Sequence, residues 1–314
     1  MPCRPKTVSS GIRVVNHRRV VLASVRQVAS SRVSVVMSLD LSAPVGDSPG
    51  LPSALECLDR IIPLGRENDL AVFLDYDGTL TPIVEDPNEA VLDAAMRDMI
   101  QRLADCCRVA IISGRDVQDV RRRVALEHIF YAGSHGFEIA GPAGQHKENQ
   151  EATALLPILA DAERSLREQL RAVPGCKLER KRFSIAVHYR LVDCEDDVDT
   201  IENAVDEVLE VFTKLRKTSG KKLYELQPDI DWDKGCAVEW LLDNLNVAPA
   251  EVLPIYLGDD ITDEDAFWVL RERGIGIRVG EQDDQQRTTA QYRLRDQKEV
   301  RRFFEQFLSR LDGR

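Results

Sequence analysis

The sequence predicts an α/β fold: a doubly wound, Rossmann-like parallel-sheet core with an inserted, smaller α+β cap domain. Short continuous apolar runs recur between helical patterns, as expected of strands covered on both faces. They are Leu70 to Leu74, Val109 to Ile112, Ile129 to Ala132, Val252 to Leu257 and, more weakly, Ile275 to Val279. A middle section instead carries one strand with polar and apolar residues in alternation, flanked by two amphipathic helices. That texture marks a separate layer with one face open.

Between the first two runs, Leu92, Ala95 or Met96, Met99 and Leu103 form a helical stripe. In the middle section one helix carries Leu155, Leu159, Ala162, Leu166 and Leu170. The alternating strand then points Phe183, Ile185, Val187 and Tyr189 one way, and Arg182, Ser184, Ala186, His188 and Arg190 the other. A second helix follows through Val198, Ile201, Val205, Val208, Phe212 and Leu215, then a strand from Lys222 to Leu226. The turn-prone Gly141-Pro-Ala-Gly144 opens this section and the core resumes near Pro228. The expected organisation is therefore a leader over 1–45, a core made of 46–142 plus 228–314, and a cap over 143–227. An amphipathic helix through Val300, Phe304, Phe307 and Leu311 ends the core.

The 314 residues carry a net charge of −11 and hold no apolar run near the roughly 18 residues that cross a bilayer. A membrane-spanning reading is excluded. The first 36 residues hold six Arg, one Lys and no acid, which leaves −18 on the rest. So acidic a body argues against nucleic acid, whose phosphates need clustered cations. Two readings fit the leader: an organellar transit peptide, or an upstream stretch before a true start at Met37. The location expected is cytoplasmic, or organellar if the leader is a transit peptide. The seven cysteines are odd in number and lack paired CxxC spacing, so they read as reduced packing thiols.

In an open parallel sheet, ligands bind beyond the carboxyl ends of the strands. Asp75 and Asp77 follow the first run, Ser113-Gly-Arg115 the second, Gly133-Ser-His135-Gly136 the third, and Gly258-Asp259-Asp260 the fourth. Acid, hydroxyl, guanidinium and imidazole converge on one edge, as phosphoryl transfer needs. A carboxylate nucleophile, Asp75, reaches an anionic phosphate only once Coulomb repulsion is offset, and Mg²⁺ held by Asp75 and Asp259 would do this. Asp77, two residues on, has the spacing of a proton shuttle. Ser113 would donate to the phosphoryl group, and Lys234 would offset charge developing in the transition state.

The ordered series of Asp75-Tyr-Asp-Gly-Thr, Ser113-Gly-Arg, Asp233-Lys-Gly and Gly258-Asp-Asp resembles the four-part signature of haloacid dehalogenase-type phosphatases. The extended segments Asp75 to Ile83, Gly133 to Glu138, Glu179-Arg-Lys181 with His188-Tyr-Arg190, and Gly258 to Phe267 resemble the trehalose-6-phosphate phosphatase family. The resemblance covers about residues 70 to 280. It implies hydrolysis of trehalose 6-phosphate through an aspartyl-phosphate, as the last step of trehalose biosynthesis. Asp75, Asp77 (through its backbone carbonyl) and Asp259 would be the Mg²⁺ ligands, and Asp77 the general acid/base. A cap would close over the sugar, with Glu179, Lys181 and Glu225 reading its hydroxyls. Arg115 and His135 join Ser113 as expected substrate contacts. No glycosyltransferase domain fits beside core and cap, so a separate trehalose-6-phosphate synthase is the expected metabolic partner.

Structural alternatives stand beside these roles. Thr262 and Asp265 have capping-box spacing, so Asp263 and Asp265 are expected to cap a helix or support the site rather than bind metal. His188 and Arg190 fit equally a solvated strand face. Competing functional readings are a related sugar phosphatase acting on sucrose phosphate or a mannosyl phosphate, and a catalytically silent sugar-phosphate sensor.

Overall fold

The computed structural model describes residues 50–61, 70–84, 86–220, 222–244, 252–281 and 287–312. The leader falls outside them. The central element is an eight-stranded sheet in the order β12-β11-β10-β1-β2-β3-β4-β5. Its strands are β1 (Leu70–Leu74), β2 (Arg108–Ile112), β3 (Phe130–Gly133), β4 (Glu138–Ala140), β5 (His146–Glu148), β10 (Leu253–Gly258), β11 (Ile275–Val279) and β12 (Tyr292–Leu294). The six strands from β12 to β3 are parallel, and β4 and β5 add an antiparallel hairpin at the edge.

Both faces of this sheet are covered, which is why its strands read as unbroken apolar runs. Leu70, Val72 and Leu74 pack with α1 (Leu58–Ile61), α2 (Ala94–Cys106), α3 (Val117–Val124) and α9 (Gln297–Asp312), whereas Ala71 and Phe73 pack with α7 (Lys234–Asn244) and α8 (Glu264–Leu270). Of the two residues open at the start of the α2 stripe, Met96 is buried and Ala95 is exposed. Helix α2 begins where the Asp93 carboxylate accepts the Met96 amide at 2.7 Å. Asp233 accepts the Cys236 amide at 2.8 Å in the same way and fixes the start of α7.

The inserted layer is a four-stranded antiparallel sheet in the order β6-β7-β9-β8, with β6 Lys177–Arg180, β7 Ile185–His188, β8 Leu215–Gly220 and β9 Leu223–Pro228. Helices α5 (Leu156–Gln169) and α6 (Glu195–Val211) cover one face, packing Leu159, Leu166, Ile201, Val205 and Val208 against Ile185, Val187 and Leu226. The other face is polar. Two expectations need correction. Strand β5 pairs with the core sheet, so the layer begins near α4 (Gln150–Ala154) and not at residue 143. Leu215 also does not continue α6; it opens β8, whose hairpin with β9 supplies a fourth strand.

Phe183 separates from its alternating partners. It lies in the turn between β6 and β7, fully buried against Phe137 and Ala152, with ring centroids of Phe137 and Phe183 5.7 Å apart. Emptying this junction is expected to be costly: Phe183→Ala should lower the unfolding free energy by about 3–4 kcal/mol in urea titrations. A loss below about 1 kcal/mol would contradict tight packing there.

Candidate active site

Asp75 stands directly beyond β1, and its amide donates to the Leu257 carbonyl of β10 at 2.9 Å. Two adjacent parallel strands thereby hold the carboxylate in place. It is 5 % exposed. Lys234, the first residue of α7, donates to Asp75 Oδ1 and to Asp263 Oδ1, both at 2.7 Å. Asp263 also accepts the Tyr256 hydroxyl at 2.6 Å and the Asp260 amide at 2.9 Å. The capping box here joins Asp260 and Asp263, two residues ahead of the expected Thr262 and Asp265.

Oxygens of Asp75, Asp259 and Asp263 lie within 4.8 Å of one another. Burial raises the Asp75 carboxyl well above the usual carboxylate range; Lys234 opposes this, while Asp263 and Asp259 add to it. Asp259 is pushed up to about 7, first by burial and then by the Asp263 charge. Burial works against the Lys234 ammonium, but Asp263 and Asp75 outweigh it and hold the proton more firmly than on a free lysine. One cation thus faces three carboxylates. The surplus of hard oxygen donors fits a divalent cation such as Mg²⁺. Asp263, expected as a supporting or capping acid, takes the second place in the capping box and also accepts from Lys234.

Gly78 shapes the same pocket. Its φ is +89°, and a Cβ there would stand 2.0 Å from Asp259 Oδ2. Both the backbone conformation and the space demand glycine. Thr79 donates to Asp259 Oδ1 at 3.5 Å.

Asp77 points elsewhere. Arg115 grips it with Nε to Oδ2 at 2.7 Å and Nη2 to Oδ1 at 2.6 Å, and reaches Asp119 with Nη1 at 3.1 Å. The arginine expected to face substrate therefore orients the expected proton shuttle. Ser113 is buried, and its Oγ accepts the Arg115 amide at 3.1 Å. Ser134 and His135 take left-handed backbone angles, φ 50° and 58°, sustained by their amides donating to the Arg115 and Ser113 carbonyls. His135 Nε2 is 4.0 Å from Glu225 Oε2. A Cβ at Gly114 would meet the His135 ring at 2.9 Å.

From the inserted layer, Glu179, Ala186, Glu225 and Thr218 stand opposite one another across all four strands, so they share the face away from the helices. Glu225 accepts Lys181 Nζ at 2.8 Å and Ser184 Oγ at 2.5 Å. Burial raises the Glu225 carboxyl, but Lys181 and His135 outweigh it and hold it well below the ordinary range. Glu179 pairs with His188 at 2.8 Å on the same face, and Arg190 reaches the Val84 carbonyl at 3.4 Å. Lys181 Nζ also lies 3.5 Å from the Gly114 carbonyl. Every residue expected to read the sugar thus lies on one polar face, and Lys181 and Glu225 meet the loops after β2 and β3.

Gly78→Ala should push the Asp259 carboxylate aside and cost about 1–3 kcal/mol of stability from the strained angle, read from urea midpoints; an unchanged midpoint would contradict the close approach. Asp119 supplies a pH signature. Burial raises its carboxyl, but bonds from Arg123, Arg122 and Arg115 outweigh that and hold it down at about 2. Because the folded value lies below the unfolded one near ~3.9, its stabilisation is complete above that value and lost as pH falls toward about 2. With screening by solvent at this partly exposed site, Asp119→Ala should cost on the order of 1 kcal/mol at pH 7, about half of that near pH 3 and little near pH 2, read from urea midpoints across that range.

Residues 73–313 match the model of the trehalose-phosphatase family. The trehalose-phosphate phosphatase of Mycobacterium tuberculosis is 47% identical over 241 residues, covering 76% of this chain and 61% of that protein. A probable trehalose-phosphate phosphatase H of Arabidopsis thaliana is 41% identical over 271 residues, covering 82% of this chain and 77% of the relative. A crystal structure of a trehalose-6-phosphate phosphatase related protein superimposes with a TM-score of 0.67 at 26% identity, covering 77% of this chain and 99% of that one. The chain spans about three fifths of the length of the mycobacterial relatives it matches. With the family model matched from β1 to α9 and more than half of the chain within it, the chain belongs to the trehalose-phosphatase family.

Proposed function

We propose that the chain hydrolyses trehalose 6-phosphate to trehalose and inorganic phosphate, with Mg²⁺ as cofactor and Asp75 as nucleophile. The observation that carries this reading is the buried Asp75 carboxylate, hydrogen-bonded by Lys234 at the carboxyl end of β1 and crowded by Asp259 and Asp263. Family membership supports the sugar phosphate as substrate.

In this reading one Asp75 oxygen forms a bond to phosphorus as the bond from phosphorus to the sugar oxygen breaks. Asp77, in its acid form, gives that leaving oxygen its proton, which requires the carboxyl group to turn from Arg115 toward the sugar. Asp77 then takes a proton from water as the water oxygen attacks the aspartyl-phosphate, freeing Asp75 and phosphate. Lys234 keeps Asp75 oriented and offsets the growing negative charge. Ser113 donates to a phosphoryl oxygen. Asp75, Asp259 and the backbone carbonyl of Asp77 would hold Mg²⁺, which when bound offsets repulsion between the attacking carboxylate and the phosphate. Glu179, Lys181, Glu225 and His135 bind sugar hydroxyls, since a disaccharide buried with unmatched hydroxyls would lose affinity. The substrate would be supplied by a separate synthase.

The reading is tested by phosphate release from trehalose 6-phosphate, sucrose 6-phosphate and a mannosyl phosphate, each with Mg²⁺ or with EDTA. Preference for trehalose 6-phosphate, loss with EDTA and a drop of at least about 10⁴-fold in Asp75→Asn are expected, since removing a nucleophile removes its covalent route. Retained turnover in that variant would sink the mechanism; preference for another sugar phosphate would overturn the specificity alone.

A further inference from the structure

The loop that follows β2 carries an acid the reaction above does not use. Asp116 occupies the N-cap position of α3, with the extended backbone of a capping residue (φ −62°, ψ 145°), and makes no side-chain capping bond to its own helix. Aspartate at this position ordinarily accepts an amide from the first turn. Its two oxygens instead accept the backbone amide of Arg182, in the turn between β6 and β7, at 3.1 and 3.0 Å. Ser134 Oγ donates to Oδ1 at 2.9 Å and fixes the carboxylate in that direction. A capping interaction that would stabilise α3 has been exchanged for one that spans the core and the inserted layer.

The contact is reinforced on both sides. The Arg182 guanidinium reaches Glu148 Oε1 at 2.7 Å and Glu138 Oε2 at 3.3 Å, both on the edge hairpin of the core sheet. Phe183 inserts beside Phe137. Lys181, one residue before the gripped amide, extends to the Gly114 carbonyl and to Glu225. The same short loop therefore holds Asp77 through Arg115 and the inserted layer through Asp116.

We propose that Asp116 is a positioning residue for turnover of the sugar phosphate: by clasping the Arg182 amide it seats the turn between β6 and β7 on the core and sets Lys181 and Glu225 against the loop that bears Ser113 and Arg115. Substrates that need the inserted layer depend on the clasp, and a small phosphate ester that meets only the core residues does not. This kinetic consequence rests on the proposed sugar phosphate reading, whereas protection of the Arg182 amide does not.

Asp116→Ser removes the clasp while leaving a good N-cap residue at the start of α3, because serine caps a helix about as well as aspartate but is too short to span to Arg182. In the full chain with Mg²⁺, hydrogen exchange at the amide of Arg182 should rise about tenfold, as for a lost bond to a charged acceptor, with α3 exchange unchanged. The kcat/KM for trehalose 6-phosphate should fall about tenfold or more, and p-nitrophenyl phosphate hydrolysis should stay within about twofold. Ser134→Ala should move both readouts the same way by a smaller factor. Unchanged exchange at Arg182 overturns the clasp. Equal losses on both substrates, or on neither, overturn the positioning role. A wild-type chain that hydrolyses only the aryl ester overturns the substrate reading, and exchange at Arg182 then decides the clasp alone.

Discussion

The site depends on one electrostatic constraint: three carboxylates, Asp75 and Asp263 buried and Asp259 half-buried, have oxygens within 4.8 Å of one another beside the Lys234 ammonium. Burial alone would drive protons onto Asp75 and Asp259, because an uncompensated charge in a dry interior is far costlier than a neutral acid. Lys234 resists this for Asp75, but one charge cannot balance three. The remainder of the pocket distributes the load, with the Tyr256 hydroxyl and the Asp260 amide donating to Asp263 and Thr79 to Asp259. Such a surplus of negative charge fits a further cation, which the proposed reaction also calls for beside Asp75.

The fold answers this constraint by dividing labour between two sheets. The parallel sheet, closed to water on both faces, supplies rigid strand ends from which Asp75, Ser113 and Asp259 project. The antiparallel sheet has one face free of helices, and period two brings Glu179 and Glu225 onto that face on either side of Ala186. A small residue at the centre of the row leaves room between the two acids. Lys181 and Ser184 neutralise and satisfy Glu225, so that a buried carboxylate is tolerated where it meets His135 from the core.

Legibility in the sequence followed the range of the forces involved. Strands β1, β2, β3 and β10 were readable because burial on both faces leaves a local apolar signature, and the residues that follow them are fixed by connectivity alone. Strands β4, β5 and β12 are three residues each, too short for an alternating pattern to declare itself. Strand β8 was hidden for a different reason: Val208, Phe212 and Leu215 keep helical spacing across the end of α6, so the apolar stripe runs on while the backbone turns. The pairings Arg115 with Asp77 and Asp116 with Arg182 link residues 38 and 66 positions apart, and no local pattern encodes which distant partner a charged group will meet. The residues of the proposed phosphate chemistry can therefore be named from the sequence, whereas the partner that holds Asp77 cannot.

The displaced capping box shows why such details matter to the site. Thr262 and Asp265 have the right spacing, yet the box forms at Asp260 and Asp263, two residues earlier. With that register, the side chain that completes the start of a helix is the one that anchors Lys234, and its second oxygen accepts from the backbone next to Asp259. The Thr262 register would leave Asp263 without its place in the box and loosen its hold on Lys234. Tying the ammonium to a helix start makes its position as rigid as the secondary structure itself, and the transition-state role proposed for Lys234 requires a charge that need not reorganise during the reaction.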